Sequence, residues 1–118
     1  MGSLRFPARQ LPSYAEPVEA GDLEVGVTYF FLNFLDDEMH IPCLEPMVFI
    51  GRDLEPGDRS QVYFQDAESY REGVRWQDST GPARIYFGSA SETGHVFHFE
   101  KALEGLLACS LRRSKLDR

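Results

Sequence analysis

The 118-residue sequence contains little cysteine, a single tryptophan and no long apolar run. Its two cysteines, Cys43 and Cys109, lack the regular spacing of a disulfide framework, so we expect both to be reduced thiols. The longest apolar stretch, residues 27–35, is too short to span a bilayer. No charged segment followed by an apolar run opens the sequence. We therefore expect a cytoplasmic protein without a signal peptide and without membrane association.

The sequence also lacks the short motifs that identify several enzyme classes. It contains no GxSxG nucleophile turn, no P-loop and no GxGxxG dinucleotide motif. The nearest glycine-rich run, GSASETG at residues 88–94, has neither the lysine nor the helix start that phosphate binding requires. These absences favour a non-catalytic protein over an enzyme.

Basic residues are scarce between residues 10 and 111, where six of them stand against eighteen acidic residues. The formal net charge of the whole chain is −7, because the other basic residues lie near its two ends. An acidic surface repels phosphate backbones and anionic lipid and attracts basic proteins. We therefore expect no direct binding of nucleic acid. The alternative interpretation is that the acidity only keeps a small domain in solution.

The chain does contain enough apolar material for one core, with 42% hydrophobic and 13% aromatic residues. Residues 1–24 carry three prolines and no apolar periodicity, which predicts an extended arm that either lies across the domain or is partly disordered. Residues 25–118 are predicted to form a single β-rich domain. Its first strand, VGVTYFFLNFL at residues 25–35, is apolar on both faces and should therefore lie inside the sheet.

Four further strands are predicted at residues 39–51, 60–66, 83–89 and 95–100. Pro42 and Pro46 interrupt the first of these and mark an edge, a bulge or a bend, because proline cannot donate to a β-ladder. A short helical segment is predicted at residues 66–73. The clearest helix is predicted at residues 100–113, where leucines recur at helical spacing and Gly105 lowers the helix propensity.

These elements predict an α+β fold that is mainly β. About five strands would form a bent antiparallel sheet or a partly open small barrel, and one C-terminal α-helix would pack on it. This plan resembles the SH3-like barrels in outline. No segment of the chain carries a motif of that group, so the resemblance implies an architecture and no function.

The histidines and cysteines raise the question of a metal site. His40 and Cys43 are three residues apart, and so are His95 and His98, which gives the number and types of ligand that zinc accepts. Residues three apart on a regular strand point to opposite faces, however, so the second pair should diverge. We expect no cofactor, with zinc as the alternative. In the simplest interpretation Cys43 is a buried apolar residue and His98 points outward.

Aromatic residues in an acidic segment indicate a binding surface. Tyr70 and Trp76 lie in QVYFQDAESYREGVRW at residues 61–76, and tyrosine and tryptophan dominate interface energetics. The alternative is that both residues cap the end of the barrel or pack under the arm. The predicted partner-binding residues are Asp36, Asp37, Glu38, Glu68, Tyr70, Glu72 and Trp76. Acidic residues in the loop after Leu54 are expected to help attract the partner.

The sequence therefore favours a non-catalytic module that binds a protein partner, most readily a basic one. One version is an inhibitor or immunity-type protein that covers the cationic active site of a nucleic-acid-handling partner. Two alternatives come from other classes. The first is a small metal- or thiol-dependent enzyme that uses the His40/Cys43 and His95/His98 pairs. The second is a homodimer formed through an exposed strand edge or through the helix.

Overall fold

The elements of the fold were assigned in a computed structural model that describes residues 2–77 and 83–116. The five strands form an open antiparallel sheet in the order β4-β3-β2-β1-β5. The predicted α+β, mainly β fold is confirmed, with an open sheet rather than a closed barrel. In chain order the elements are a 3-10 turn at Ala20–Asp22, β1 Thr28–Phe34, β2 Pro42–Arg52, β3 Gln61–Asp66, α1 Ala67–Arg71, β4 Ile85–Ser89, β5 Val96–Phe97 and α2 Phe99–Leu116.

Strand β1 lies between β2 and β5 and is covered on both faces, as its apolar pattern predicted. Tyr29 and Phe31 point to one face and pack into the larger core cluster, which includes Phe49 and Phe64. Leu32 points to the other face and packs into a second cluster, which includes Phe97, Ala102 and Leu106. Alternation of side chains along the strand therefore supplies two cores from one segment.

The sheet is strongly curled around the larger core. The ring centroids of Phe31 on β1 and Tyr86 on β4 lie 5.1 Å apart, although β2 and β3 lie between these strands. In a flat sheet three strand spacings would separate them by about 14 Å. Residues before β1 close the concave face, because Val18 and Leu23 are buried there and the Val18 amide donates to the Val96 carbonyl at 2.8 Å.

Helix α2 covers the β1 and β5 half of the convex face. A Cβ atom at Gly105 would lie 2.6 Å from Leu32 Cδ2, so the glycine allows the helix to approach the sheet closely. The helix begins at Phe99, and the predicted strand at residues 95–100 is reduced to two residues. On a strand that continued to residue 100, Phe99 would point inward with Phe97; it is instead 57% exposed, because the helical turn rotates it away from the sheet. No helix among residues 2–77 and 83–116 has the length and apolarity needed to cross a membrane.

The C-terminal half of α2 holds the turn between β1 and β2. Arg112 donates from Nε to the Met39 carbonyl at 3.0 Å, and Arg113 donates to the His40 carbonyl at 2.7 Å. Within the turn the Asp36 carboxylate accepts hydrogen bonds from the amides of His40 and Ile41 at 2.8–3.0 Å. Burial raises the pKa of Asp36, but these hydrogen bonds and the nearby His40 outweigh it and lower the pKa overall.

Pro42 and Pro46 lie in the half of β2 that extends beyond β3, which ends opposite Met47. The Phe49 amide donates to the Val27 carbonyl, and hydrogen-bonded pairs alternate along an antiparallel ladder. The backbone nitrogens of residues 42, 44 and 46 therefore point away from β1. Since proline has no N–H group, two of these three positions offer no donor, and the prolines mark an edge.

The predicted helical segment after β3 is α1, and Asp66 caps it. The Asp66 carboxylate accepts hydrogen bonds from the Ser69 amide at 2.9 Å, the Ser69 hydroxyl at 2.7 Å and the Arg84 amide at 2.7 Å. Burial raises the pKa of Asp66, but these hydrogen bonds and the charge of Arg84 lower it overall. One carboxylate thus joins the start of α1 to the approach to β4.

Replacing Asp66 by alanine should lower the free energy of unfolding by about 1–3 kcal/mol, because three donors lose their acceptor. Urea denaturation of wild type and variant measures the difference. The matched control is Asp37→Ala, which removes an exposed carboxylate and should change stability by less than about 0.5 kcal/mol. The difference in free energy of unfolding between wild type and Asp66→Ala should shrink as the pH falls below 3.8. The pKa of Asp66 is lowered in the folded protein, so the folded state takes up this proton only in that range. Equal losses in the two variants would contradict the capping role.

Candidate functional site

The half of the convex face over β3 and β4 carries aromatic side chains that α2 does not cover. The Tyr63 ring meets Trp76 edge to face at a centroid distance of 5.2 Å and stacks on Phe87 at 5.7 Å. Phe87 is 64% exposed, which is unusual for so large an apolar side chain within a strand. We refer to Tyr63, Tyr70, Trp76 and Phe87 as the aromatic surface.

A cleft of about 300 Å³ opens between Tyr70 and Trp76. The Arg75 guanidinium carbon lies 4.0 Å from the centroid of the Tyr70 ring, and its Nη1 donates to the carbonyls of Tyr70 and Val74, both at 2.9 Å. Val25 forms part of the rim and is 65% exposed. The cleft is thus apolar at its rim and already holds one guanidinium group against an aromatic face.

The turn between β2 and β3 places carboxylates beside the aromatic surface. The Tyr63 hydroxyl donates to the Asp58 carboxylate. This hydrogen bond, followed by burial and by the charges of Asp58, Glu55 and Asp53, raises the pKa of Tyr63 to about 12. We refer to Asp53, Glu55 and Asp58 as the acidic turn, whose negative potential reaches the aromatic surface.

The structure divides the predicted partner-binding residues into two groups. Glu68, Tyr70, Glu72 and Trp76 lie on or directly after α1, with both glutamates exposed. Asp36, Asp37 and Glu38 lie in the turn before β2, whereas the cleft contacts β2 at Ile50. Nine residues of β2, from Pro42 to Ile50, lie between that turn and the cleft, which is a distance of roughly 25 Å along the strand. Asp36 is also occupied by hydrogen bonds within its own turn.

The four residues predicted as alternative zinc ligands are not brought together. Cys43 is exposed opposite Asn33 on β2, which corrects the interpretation of it as a buried residue. Nδ1 of His40 lies 3.5 Å from carboxylate oxygens of Asp36 and Glu38 in the turn before β2. His95 and His98 lie at β5, beyond the far side of β1. Among the described residues no group of three or more His, Cys, Asp or Glu side chains could hold a metal ion.

A second cavity, of about 360 Å³, lies between the N-terminal arm, β1 and α2. It exists because β5 pairs only with Phe30 and Phe31, so that on the side of β1 away from β2 no strand continues alongside Asn33 and Phe34. The segment Ser13–Ala15 and the C-terminal half of α2 form its other walls. We refer to it as the arm cavity. Its described lining residues are Ser13, Tyr14, Ala15, Leu32, Asn33, Phe34, Met39, Gly94, His95, Phe97, Gly105, Ala108 and Arg112.

His95 lines the arm cavity with its imidazole among aromatic rings. The ring centroids of Phe31 and Tyr86 lie 4.7 and 5.4 Å from its own. Burial lowers the pKa of His95 below its ordinary value of 6.5. The imidazole is therefore neutral at pH 7 and can both donate and accept a hydrogen bond.

Sequence reasoning identified Tyr70 and Trp76 and missed Tyr63 and Phe87. The signal was present, because β3 and β4 each carry two consecutive aromatic residues and a strand must direct one of each pair to either face. Tyr63 and Phe87 are directly paired across the two strands. The strand sequences alone do not indicate which face of the sheet α2 leaves uncovered.

Comparison with known proteins gives one similarity of low identity. DNA ligase 4 of Eremothecium gossypii is 27% identical to this chain over 117 residues. The alignment covers 94% of this chain and 12% of that protein, so the chain spans about an eighth of its length. No family model matches the chain, and no solved structure matches it.

The burial of His95 predicts a specific pH dependence of stability. The folded-state pKa lies below 6.5, so the unfolded chain binds more protons in acid and stability falls as the pH drops below about 6.5. His95→Gln should reduce the slope of the free energy of unfolding between about pH 5 and 7, as measured by urea denaturation. Leu111→Gln is the control, because Leu111 is exposed and does not titrate, and it should retain the wild-type slope. An unchanged slope in His95→Gln would contradict the assignment.

Proposed function

We propose that this protein is a non-catalytic binding module whose aromatic surface and acidic turn bind a basic segment of a protein partner. The observation that carries the proposal is the position of the acidic turn, which contacts Tyr63 through Asp58 and so adjoins the exposed ring of Phe87. Exposed aromatic rings contribute large contact area at little cost in conformational entropy. Carboxylates beside them attract and orient a cationic partner.

The position of Arg75 supports recognition of arginine in particular. Its guanidinium lies over the ring of Tyr70, while the ring of Trp76 borders the same cleft. An arginine of a partner could stack in the same way on the exposed parts of Trp76 and Phe87. It would then lie beside the carboxylates of the acidic turn. Cation–π contact and ion pairing would then act on a single side chain.

An inhibitor or immunity-type protein is the more specific version of this proposal. Such a protein covers a cationic active site, and its surface must supply negative charge and apolar contact at the same place. The aromatic surface and acidic turn combine both. The net charge of −7 would accelerate the encounter at low ionic strength.

The charge requirement can be tested with two pairs of substitutions in two turns. Asp53→Asn with Glu55→Gln removes two charges beside the aromatic surface, and the introduced side-chain amide at position 53 can still accept the hydrogen bond that Asp53 accepts from the Gln61 amide. Asp37→Asn with Glu38→Gln removes two exposed charges from the turn before β2. Binding to immobilised small basic proteins such as lysozyme and cytochrome c should weaken about tenfold in the first variant and by less than about threefold in the second.

Raising the salt concentration from about 20 to 300 mM should reduce wild-type binding and narrow the difference between these variants. The absence of binding to every basic protein at low salt would contradict the proposal. Greater weakening in the variant of Asp37 and Glu38 would move the site to the turn before β2.

The aromatic requirement has its own matched pair. Phe87→Ala removes an exposed ring from the aromatic surface, and Phe99→Ala removes a similarly exposed ring from the start of α2. Phe87→Ala should weaken binding of the same proteins about tenfold, whereas Phe99→Ala should leave it unchanged. Equal effects would indicate nonspecific charge attraction. Light scattering of the free protein tests the homodimer separately, because a dimer would appear without any basic partner.

A further inference from the structure

The arm cavity differs in charge from the rest of the protein. The chain has 19 acidic residues, and none of them is among the described residues that line the cavity. Arg112 is the charged side chain within this lining. In a protein of net charge −7, a concave site with a cation and without a carboxylate is suited to an anionic ligand.

The guanidinium of Arg112 is fixed in position and retains hydrogen-bonding capacity. Its Nε donates to the Met39 carbonyl at 3.0 Å, and its Cζ lies 5.3 Å from the centroid of the Phe34 ring. Its two Nη groups form no hydrogen bond or ion pair with the described part of the chain. A planar group held by Nε presents its Nη donors in the fork that matches a carboxylate.

Four uncharged polar residues share the described lining with Arg112, namely Ser13 and Tyr14 on the arm, Asn33 on β1 and His95 before β5. Asn33 interrupts the apolar sequence of β1 at the point where β5 no longer pairs with it. Asn33 is exposed and lines the cavity. His95 is also on this lining, but its imidazole packs against Phe31 and Tyr86. Uncharged polar groups on a cavity wall can fix the orientation of a ligand without adding charge.

Apolar side chains form a large part of the remaining walls. They come from β1, from the turn before β2, from β5, from α2 and from the arm, namely Leu32, Phe34, Met39, Phe97, Ala108 and Ala15. The volume of about 360 Å³ lies at the lower end of the range for small-molecule sites. Such walls favour a ligand whose body is apolar and no larger than a single ring or a short chain.

We propose that the arm cavity binds a small carboxylic acid with an apolar body. The carboxylate accepts hydrogen bonds from the Nη groups of Arg112, and the uncharged polar residues Ser13, Tyr14 and Asn33 lie on the same lining. The apolar body lies between Phe34 and Phe97. This site is separate from the aromatic surface, so the proposal does not depend on binding of a protein partner.

Titration of the ¹⁵N-labelled full chain with phenylacetate, hexanoate and 3-phenylpropanoate tests the proposal by NMR. At least one carboxylate should produce saturable amide shifts at Asn33, Gly94 and His95, with a Kd of about 1 mM or tighter. Phenylacetamide, hexanamide and 3-phenylpropanamide are neutral and nearly isosteric, and each should bind about tenfold more weakly than its acid. Absence of saturable shifts with all three acids up to about 20 mM would overturn the proposal. Equal affinity of acid and amide would also overturn it.

Arg112 and Arg113 form a matched pair for the role of the cation. Both donate a hydrogen bond to a backbone carbonyl of the turn before β2, and only Arg112 lines the cavity. Arg112→Gln should weaken binding of the carboxylate about tenfold or more, and Arg113→Gln should leave it within about twofold. Equal weakening would show that the arginines act only by holding the turn, and would overturn the assigned contact.

Filling the cavity provides a test that does not depend on charge. Ala108→Phe places a ring in the cavity from α2 and should abolish the saturable shifts, while thermal unfolding confirms that the variant is folded. Leu111→Phe is the control on the same helix, because Leu111 is exposed and outside the described lining. If Ala108→Phe is unstable, Gly94→Val fills the cavity from the opposite wall. Undiminished carboxylate binding in a folded cavity-filling variant would place the ligand elsewhere and overturn the proposal.

Discussion

The fold depends on the burial of β1 on both faces. Because Phe31 and Leu32 point in opposite directions and both are apolar, the chain has to provide a separate cover for each side. Residues 18–23 close the concave side, and α2 closes the convex side. A helix about 10 Å wide covers the width of about two strands, so a five-stranded sheet cannot be covered by one helix.

Both regions to which we assign binding arise where that cover ends. The aromatic surface lies over β3 and β4, on the part of the convex face beyond the reach of α2. The arm cavity lies where β5 ends after two residues and leaves Asn33 without a neighbouring strand on the side away from β2. The two regions have opposite charge, since the first adjoins the acidic turn and the second contains Arg112. The molecule thus combines an attraction for cations at one place with a site suited to anions at another.

Local patterns in the sequence were sufficient for the strands, for the central place of β1 and for the C-terminal helix. They were not sufficient to predict features that depend on how far one strand extends beyond its neighbour. Cys43 was predicted to be buried from its apolar neighbours, yet the first half of β2 extends beyond β3 and exposes it. A longer β5 would have directed Phe99 inward, but the strand ends at Phe97. Arg112 of α2 and His95 of the loop before β5 line the same cavity, and no spacing along the chain encodes that arrangement.

The prolines of β2 have a consequence for the behaviour of the protein in concentrated solution. An unpaired strand edge is normally a template on which a second chain can add a strand, and long edges of this kind lead to aggregation and fibrils. Pro42 and Pro46 remove two of the three donors that such an addition would need on this edge. Strand addition along this edge of β2 is therefore disfavoured, and a molecule that approaches it meets mainly side chains.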